Sequence, residues 1–234
     1  FRSQMEPLSV FATATPETLL GPLNAVEKRN APPTLYYLGD ASLFRQLRVS
    51  VVGSRQTSEE GIRRAARLTR ELVAAEIVVV SGLAAGIDTA AHQTAIAVGG
   101  RTIAVLGNPL SVYFPRQNRQ LQDLIGSQHL LVSQFPEGVP SRKDNYPLRN
   151  RTMALVSQAT VIVDAQERSG TVSQGWEAIR LGRPLYLLRS LAENPALEWP
   201  KLMLEYGAEI LDDTSTLLAN LPLRPEPELA ELAF

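Results

Sequence analysis

The sequence contains no cysteine and has only two histidines, His92 and His129, among its 234 residues. The absence of cysteine excludes a disulfide framework, a thiolate zinc site and a cysteine nucleophile. Two isolated histidines do not predict a metal cage either. We therefore expect neither a metal nor another cofactor, and we do not expect an enzyme.

An excess of charge of one sign is also absent, since the formal net charge is −1. This excludes a purely electrostatic, histone-like DNA binder but leaves room for a local basic patch. The chain has no run of about 18 apolar residues and no N-terminal signal-peptide pattern. Hydrophobic residues make up 44% and charged residues 20%. We therefore expect a soluble cytoplasmic protein with no membrane partner.

From residue 48 onward, short apolar strands alternate with amphipathic helices. The strands are predicted at 49–52, 77–80, 102–106, 129–132, 160–163, 184–188 and 209–211. The helices are predicted at 58–75, 87–98, 118–125, 148–157, 171–181, 197–205 and 213–220. This order predicts an α/β fold with a doubly wound, mostly parallel sheet. We expect a lead-in segment at 1–47 packed on the core, a main domain at 48–221, and a tail at 222–234.

Two glycine-containing turns follow the first two predicted strands. Gly53, Ser54 and Arg55 combine a tight turn, free backbone N–H groups and a guanidinium, which together favour a phosphate. Ser81 and Gly82 open a second turn between a buried strand and the helix at 87–98, but its G-x-x-x-G spacing matches neither the dinucleotide nor the Walker pattern. Plain strand-to-helix turns with a solvated arginine remain the alternative.

A carboxylate and an imidazole follow on the next helix. Asp88 and His92 are spaced i and i+4, so they lie on one helix face and can pair. We interpret them as loop-orienting residues, with general acid–base work as the alternative. Ser169 and Gly170 open a later helix, where they form either an anion pocket or a plain N-cap.

Two long loops carry cations and aromatic rings. The loop at 107–119 contains Arg116, and a loop of its length is often functional. The stretch at 136–151 places aromatic and basic residues together, a combination typical of single-strand binders because rings stack on bases while cations neutralise phosphates. A solvated basic loop with a tyrosine in the core is the alternative. The candidate residues of this stretch are Lys143, Tyr146, Arg149, Asn150 and Arg151.

Several segments together resemble the DNA-processing protein A family (DprA, also called Smf), in the order and spacing of that family. The resemblance covers roughly residues 32–190. The matching segments are PPTLYYLGD at 32–40, VVGSR at 51–55, VVSGLAAGIDTAAH at 79–92, AVLGNPLSVYFPRQNRQL at 104–121, SQFPEGVPSRKDNYPLRNR at 133–151 and VIVDAQERSGT at 161–171.

The resemblance implies an extended Rossmann-like domain that binds single-stranded DNA, forms a homodimer and loads RecA during transformation and recombination. It also implies that Arg55 contacts phosphate, Lys143 contacts DNA, Tyr146 contacts a base and Arg116 follows the family's Tyr-Pro pair, which here reads Phe114-Pro115. Gly53, Ser54, Ser81 and Gly82 would then shape the backbone floor of the pocket.

The sequence departs from the family pattern at the helix start of residues 169–176 and after the strand at 184–188. We therefore expect a minimal or divergent member, for which RecA loading is a weaker expectation than DNA binding. The alternative function is a nucleotide sensor of the related LOG-like superfamily, in defence or signalling. The catalytic glutamate of those proteins is replaced here by Gln174, which cannot serve as a carboxylate base.

Overall fold

The computed structural model describes residues 11–222, so the predicted tail at 222–234 lies outside the described residues except for Pro222. The strands are β1 (Ala12–Ala14), β2 (Leu35–Gly39), β3 (Arg48–Gly53), β4 (Val78–Ser81), β5 (Thr102–Leu106), β6 (Leu130–Ser133), β7 (Ala159–Asp164), β8 (Leu185–Leu188) and β9 (Glu209–Leu211). The helices are α1 (Pro16–Leu20), α2 (Ala25–Asn30), α3 (Glu59–Ala74), α4 (Ile87–Ala97), α5 (Arg119–Gln128), α6 (Asn145–Val156), α7 (Gly170–Arg180), α8 (Arg189–Ala192), α9 (Trp199–Glu205) and α10 (Thr214–Asn220). Short 3₁₀ turns lie at Ala41–Arg45 and Arg116–Asn118.

The strands of the described region form one sheet in the order β1-β2-β6-β5-β4-β3-β7-β8-β9. The strands from β6 to β9 in this order are parallel, whereas β1 and β2 are antiparallel to their neighbours. Beginning at β3, the chain adds strands outward to β6 and then returns to place β7 on the other side of β3. The point between β3 and β7 is therefore the topological switch point, where ligands of such sheets bind.

The central strands are apolar on both faces because helices cover the sheet on both sides. Successive side chains alternate between two cores: Val49 and Val51 pack with α3 and α4, while Val52 packs with α6 and α7. The predicted doubly wound α/β fold is confirmed.

The structure adds elements that the sequence pattern did not predict. Within the expected lead-in segment, β2 pairs with β6 near one end of the sheet, with Tyr36 opposite Ser133. The helix predicted at 148–157 begins three residues earlier, at Asn145, so Tyr146 lies in its first turn rather than in a loop. Pro147 does not prevent this start, because the first-turn N–H groups have no partner within the helix.

Candidate functional site

A cavity of about 610 Å³ lies beside the carboxyl ends of β3 and β7, at the switch point. It receives residues from the turn after β3, from the start of α6 and from the start of α7. Its lining residues are Val52, Gly53, Ser54, Arg55, Gln56, Ala84, Asp88, Phe114, Lys143, Tyr146, Arg149, Asn150, Met153, Gln166, Ser169, Gly170, Thr171 and Gln174. A smaller cavity of about 80 Å³ adjoins it, between the ends of β4 and β5 and the Tyr146 ring.

The turn after β3 is fixed by its contacts with β7 and α4. Ser54 donates its backbone N–H to the carbonyl of Asp164 at 2.7 Å. A Cβ at Gly53 would lie 2.5 Å from a side-chain carbon of Ile87, so a larger residue would displace α4. Arg55 follows this fixed turn, is exposed, and lines both cavities.

Tyr146 lies where the two cavities meet. The guanidinium carbon of Arg55 is 5.1 Å from the centre of the tyrosine ring, and that of Arg149 is 5.8 Å away. The Phe114 ring centre is 5.9 Å from that of Tyr146. A Cβ at Gly107 would come within 2.8 Å of the Tyr146 ring, so the glycine allows the ring to lie against the backbone. Partial burial raises the pKa of the tyrosine hydroxyl, against the opposite effect of the two arginines.

Arg149 is buried, and its guanidinium joins three parts of the site. Its Nη1 donates to the carbonyl oxygens of Gly82 at 2.6 Å and Val105 at 3.0 Å, and its Nε donates to the side-chain oxygen of Asn150 at 3.0 Å. Burial lowers the pKa of Arg149, and the nearby Asp88 carboxylate opposes that effect. Because Nη1 donates to carbonyls at the ends of β4 and β5, the Arg149 side chain holds these strand ends against α6.

Asp88 and His92 do not form the pair that their spacing allows. Asp88 Oδ2 instead accepts from the backbone N–H groups of Gly82 at 3.2 Å and Ala84 at 3.4 Å, which fixes the loop before α4. His92, on α4, places its Nδ1 2.7 Å from the hydroxyl oxygen of Thr102, the first residue of β5. Asp88 is therefore hydrogen-bonded to backbone N–H groups, and His92 to a hydroxyl on a strand, rather than to each other. Burial raises the pKa of Asp88 and lowers that of His92 to about 3.

The low pKa of His92 predicts a loss of stability in mild acid. The unfolded chain takes up a proton near pH 6.5, whereas the folded chain does not do so until about pH 3. Stability therefore falls as the pH decreases between these values, by about 1 kcal/mol for a step from pH 6.5 to 5.5. Urea unfolding at both pH values should show this loss in the parent and a smaller one in His92→Asn. An equal loss in both proteins would rule out His92 as its source.

The start of α7 forms the opposite wall of the large cavity. Ser169 caps the helix by accepting from the backbone N–H of Thr171 at 3.2 Å. Asn150 donates to the carbonyl of Gly170 at 3.1 Å and so links α6 to this helix start. Gln174 is buried beneath it, with its amide nitrogen 3.4 Å from Thr160 Oγ1. Neutral hydroxyl and amide groups therefore face the basic residues of the β3 and α6 side.

The structure brings most, but not all, of the sequence-predicted residues to this site. The predicted residues that line the large cavity are Gly53, Ser54, Arg55, Asp88, Lys143, Tyr146, Arg149, Asn150, Ser169 and Gly170. Gly82 lines the smaller cavity.

Four of the predicted residues line neither cavity: Ser81, His92, Arg116 and Arg151. Ser81 is fully buried and donates to the carbonyl of Val51 at 2.7 Å. Arg116 is exposed. Arg151 pairs with Glu177 at 3.2 Å. Three of these side chains are thus occupied or buried within the fold.

Phe114 is the main residue of the site that the sequence pattern did not predict. Its side chain is exposed and lines both cavities, while the neighbouring Tyr113 hydroxyl donates to Asp123 at 2.7 Å on α5. The only sequence signal was the position of both rings in a long loop.

Within residues 11–222, no group of three or more acidic, histidine or cysteine side chains is placed to hold a metal ion. Over the same range, no helix has the length and apolar character needed to cross a membrane.

Comparison with known proteins identifies relatives along most of the chain. The family model described as DNA recombination-mediator protein A matches residues 15–222. DNA processing protein DprA of Streptococcus pneumoniae is 35% identical over 199 residues, which is 85% of this chain and 70% of that protein. Protein Smf of Synechocystis is also 35% identical, over 83% of this chain but only 50% of its own length.

Solved structures give the same result. The crystal structure of DprA from Streptococcus pneumoniae matches with a TM-score of 0.79 and 31% identity, over 92% of this chain and 76% of that one. DNA processing protein A from Helicobacter pylori, whose structure is described in terms of its single-stranded DNA binding mode, matches with a TM-score of 0.75 and 25% identity. That match covers 91% of this chain and 98% of the other.

Proposed function

The chain belongs to the DNA recombination-mediator protein A family, and we propose that it binds single-stranded DNA in the large cavity beside the carboxyl ends of β3 and β7. Single-stranded DNA binding is the property named for its structural relative from Helicobacter pylori. The observation that carries the proposal here is the arrangement of Arg55, Lys143 and Tyr146 around one opening.

The chemistry of this opening suits a flexible polyanion with bases. Arg55 and Lys143 are both exposed, and neither has a carboxylate partner among the described residues. They are thus free to contact phosphates, while the nearby Tyr146 ring offers a surface on which a base stacks. The affinity then comes from charge and stacking, so it has little dependence on base sequence.

Partnership with RecA is part of the same proposal, and it is supported by the match of the family model over 15–222, since mediation of recombination is the description of that family. Homodimer formation is proposed with it, on the family resemblance of the sequence alone. The proposed function includes no catalytic step. Hydrolysis of the LOG-like type would require a carboxylate where Gln174 stands, and Gln174 is buried with its amide nitrogen 3.4 Å from Thr160 Oγ1.

The stacking role of Tyr146 predicts a specific binding defect. Tyr146→Ala should weaken the binding of labelled oligo-dT by about 1–3 kcal/mol, because one base loses its stacking partner. The slope of log Kd against log salt should remain the same, because no phosphate contact is lost. Fluorescence anisotropy over a salt series measures both quantities.

Lys143→Ala is the matched comparison for this test. It should flatten the salt slope by about 0.7 for each lost phosphate contact on single-stranded DNA. If both variants bind like the parent, the DNA lies elsewhere on the surface.

A further inference from the structure

The Phe114 ring stands at the junction of the two cavities without the packing that normally surrounds a phenylalanine. Its side chain is 46% exposed, although large apolar rings are usually covered in folded domains. The loop that carries it is otherwise well anchored, since Asn118 donates to the carbonyl of Leu83 at 2.9 Å and Gln122 donates to that of Leu110 at 2.9 Å. The loop therefore holds this ring at the site without burying it.

The Phe114 and Tyr146 rings cannot sandwich a single base between them. Their centres are 5.9 Å apart and their planes are inclined by 47°. A base placed between two parallel rings would need a gap of about 7 Å, because carbon atoms in contact lie about 3.5 Å apart. The two rings therefore present separate faces.

The neighbours of the two rings also differ. Tyr146 is partly buried, with Arg55 and Arg149 close to its ring and the Gly107 backbone against it. Among the described residues no arginine or lysine makes a cation–π contact with the Phe114 ring, and this ring is the more exposed of the two. A base stacks on an open aromatic face, and the exposed Phe114 ring provides one.

We propose that Phe114 is a second base-stacking residue, which binds the base of a nucleotide neighbouring the one on Tyr146. This inference rests on the proposed function, because it requires single-stranded nucleic acid in the cavity. It implies that the site contacts two bases on two inclined rings, with Arg55 beside the first of them.

The test compares two oligomers of equal length, oligo-dT and a chain of abasic tetrahydrofuran nucleotides. Phe114→Ala should weaken oligo-dT binding by about five- to fiftyfold, and it should change the binding of the abasic chain by less than about twofold. Phe114→Trp, which keeps an aromatic ring, should bind oligo-dT about as tightly as the parent. Low salt keeps the abasic affinity measurable, because the phosphate contacts remain. Tyr206→Ala removes an exposed ring that lines neither cavity, and it should change neither affinity.

A second arm separates stacking by Phe114 from mere support of Tyr146. Phe114→Ala should still weaken oligo-dT binding severalfold in a Tyr146→Ala background, because a different base is involved.

Loss of that effect in the double variant, or an equal loss on the abasic chain, would overturn the inference while leaving DNA binding intact. Failure of the parent to bind either oligomer would instead overturn the proposed function.

Discussion

Replacing Arg149 with methionine is expected to lower the free energy of unfolding by about 3 kcal/mol or more. The methionine keeps much of the apolar stem but removes every donor. The carbonyls of Gly82 and Val105 then lose their hydrogen bonds from Nη1 inside the fold. Each unsatisfied buried acceptor costs about 1–3 kcal/mol.

The buried carboxylate of Asp88 adds to this cost. The charge of Arg149 lowers the pKa of Asp88, while burial raises it. Without the arginine, the pKa of Asp88 rises further, and the ionised form becomes still less favourable inside the protein.

Urea unfolding of Arg149→Met beside Arg142→Met measures this effect. Arg142 is exposed on the loop before α6, so its replacement should change stability by less than about 0.5 kcal/mol. Arg149→Lys should fall between the parent and the methionine variant, because it keeps the charge and loses the fork of donors. Equal stability of Arg149→Met and Arg142→Met would mean that the guanidinium does not hold the site together.

Removing the two free cations of the cavity should have the largest effect on DNA binding. The double variant Arg55→Ala/Lys143→Ala is expected to weaken oligo-dT binding by about 3 kcal/mol, a factor of more than a hundred. Two phosphate contacts are lost, so the slope of log Kd against log salt should fall by about 1.4. The Arg55→Ala change also removes the contact between the guanidinium and the Tyr146 ring. This adds to the loss of affinity but does not change the salt slope.

The control is Arg70→Ala/Lys201→Ala, which removes one arginine and one lysine from exposed positions on α3 and α9. Both double variants carry the same net charge, so a general electrostatic effect would appear equally in each. We expect the control to keep the parent's slope and nearly its affinity. If the control variant bound oligo-dT as weakly as the cavity variant, binding would be diffuse and would not depend on this cavity.

The central part of the fold could be predicted from the sequence because the information there is local. Runs such as Val49–Val52 and the helical spacing of residues 58–75 each specify an element without reference to the rest of the chain. The strands β1 and β2 at one end of the sheet were not predicted as strands, because β2 is defined by pairing with β6, almost a hundred residues away. No pattern of neighbouring residues in the sequence predicts such a long-range pairing.

The site was predicted less completely, because residue type does not reveal burial. Arg149 and Arg151 look alike in the sequence, yet one is buried against two backbone carbonyls and the other pairs with Glu177 on α7. Tyr113 and Phe114 are adjacent, yet one bonds to α5 and the other faces the cavities. These differences depend on which face of a helix or loop meets the sheet.

The most direct test of single-stranded DNA binding is the competition of unlabelled ligands against labelled oligo-dT on the parent protein. If single-stranded DNA is the ligand, oligo-dT competes at its own Kd, its affinity falls as salt rises, and thymidine monophosphate competes only at concentrations at least a hundredfold higher. Absence of any binding of the labelled oligo-dT, or competition by thymidine monophosphate at concentrations as low as those of oligo-dT, would contradict single-stranded DNA binding, and the second outcome would favour the nucleotide-sensor alternative.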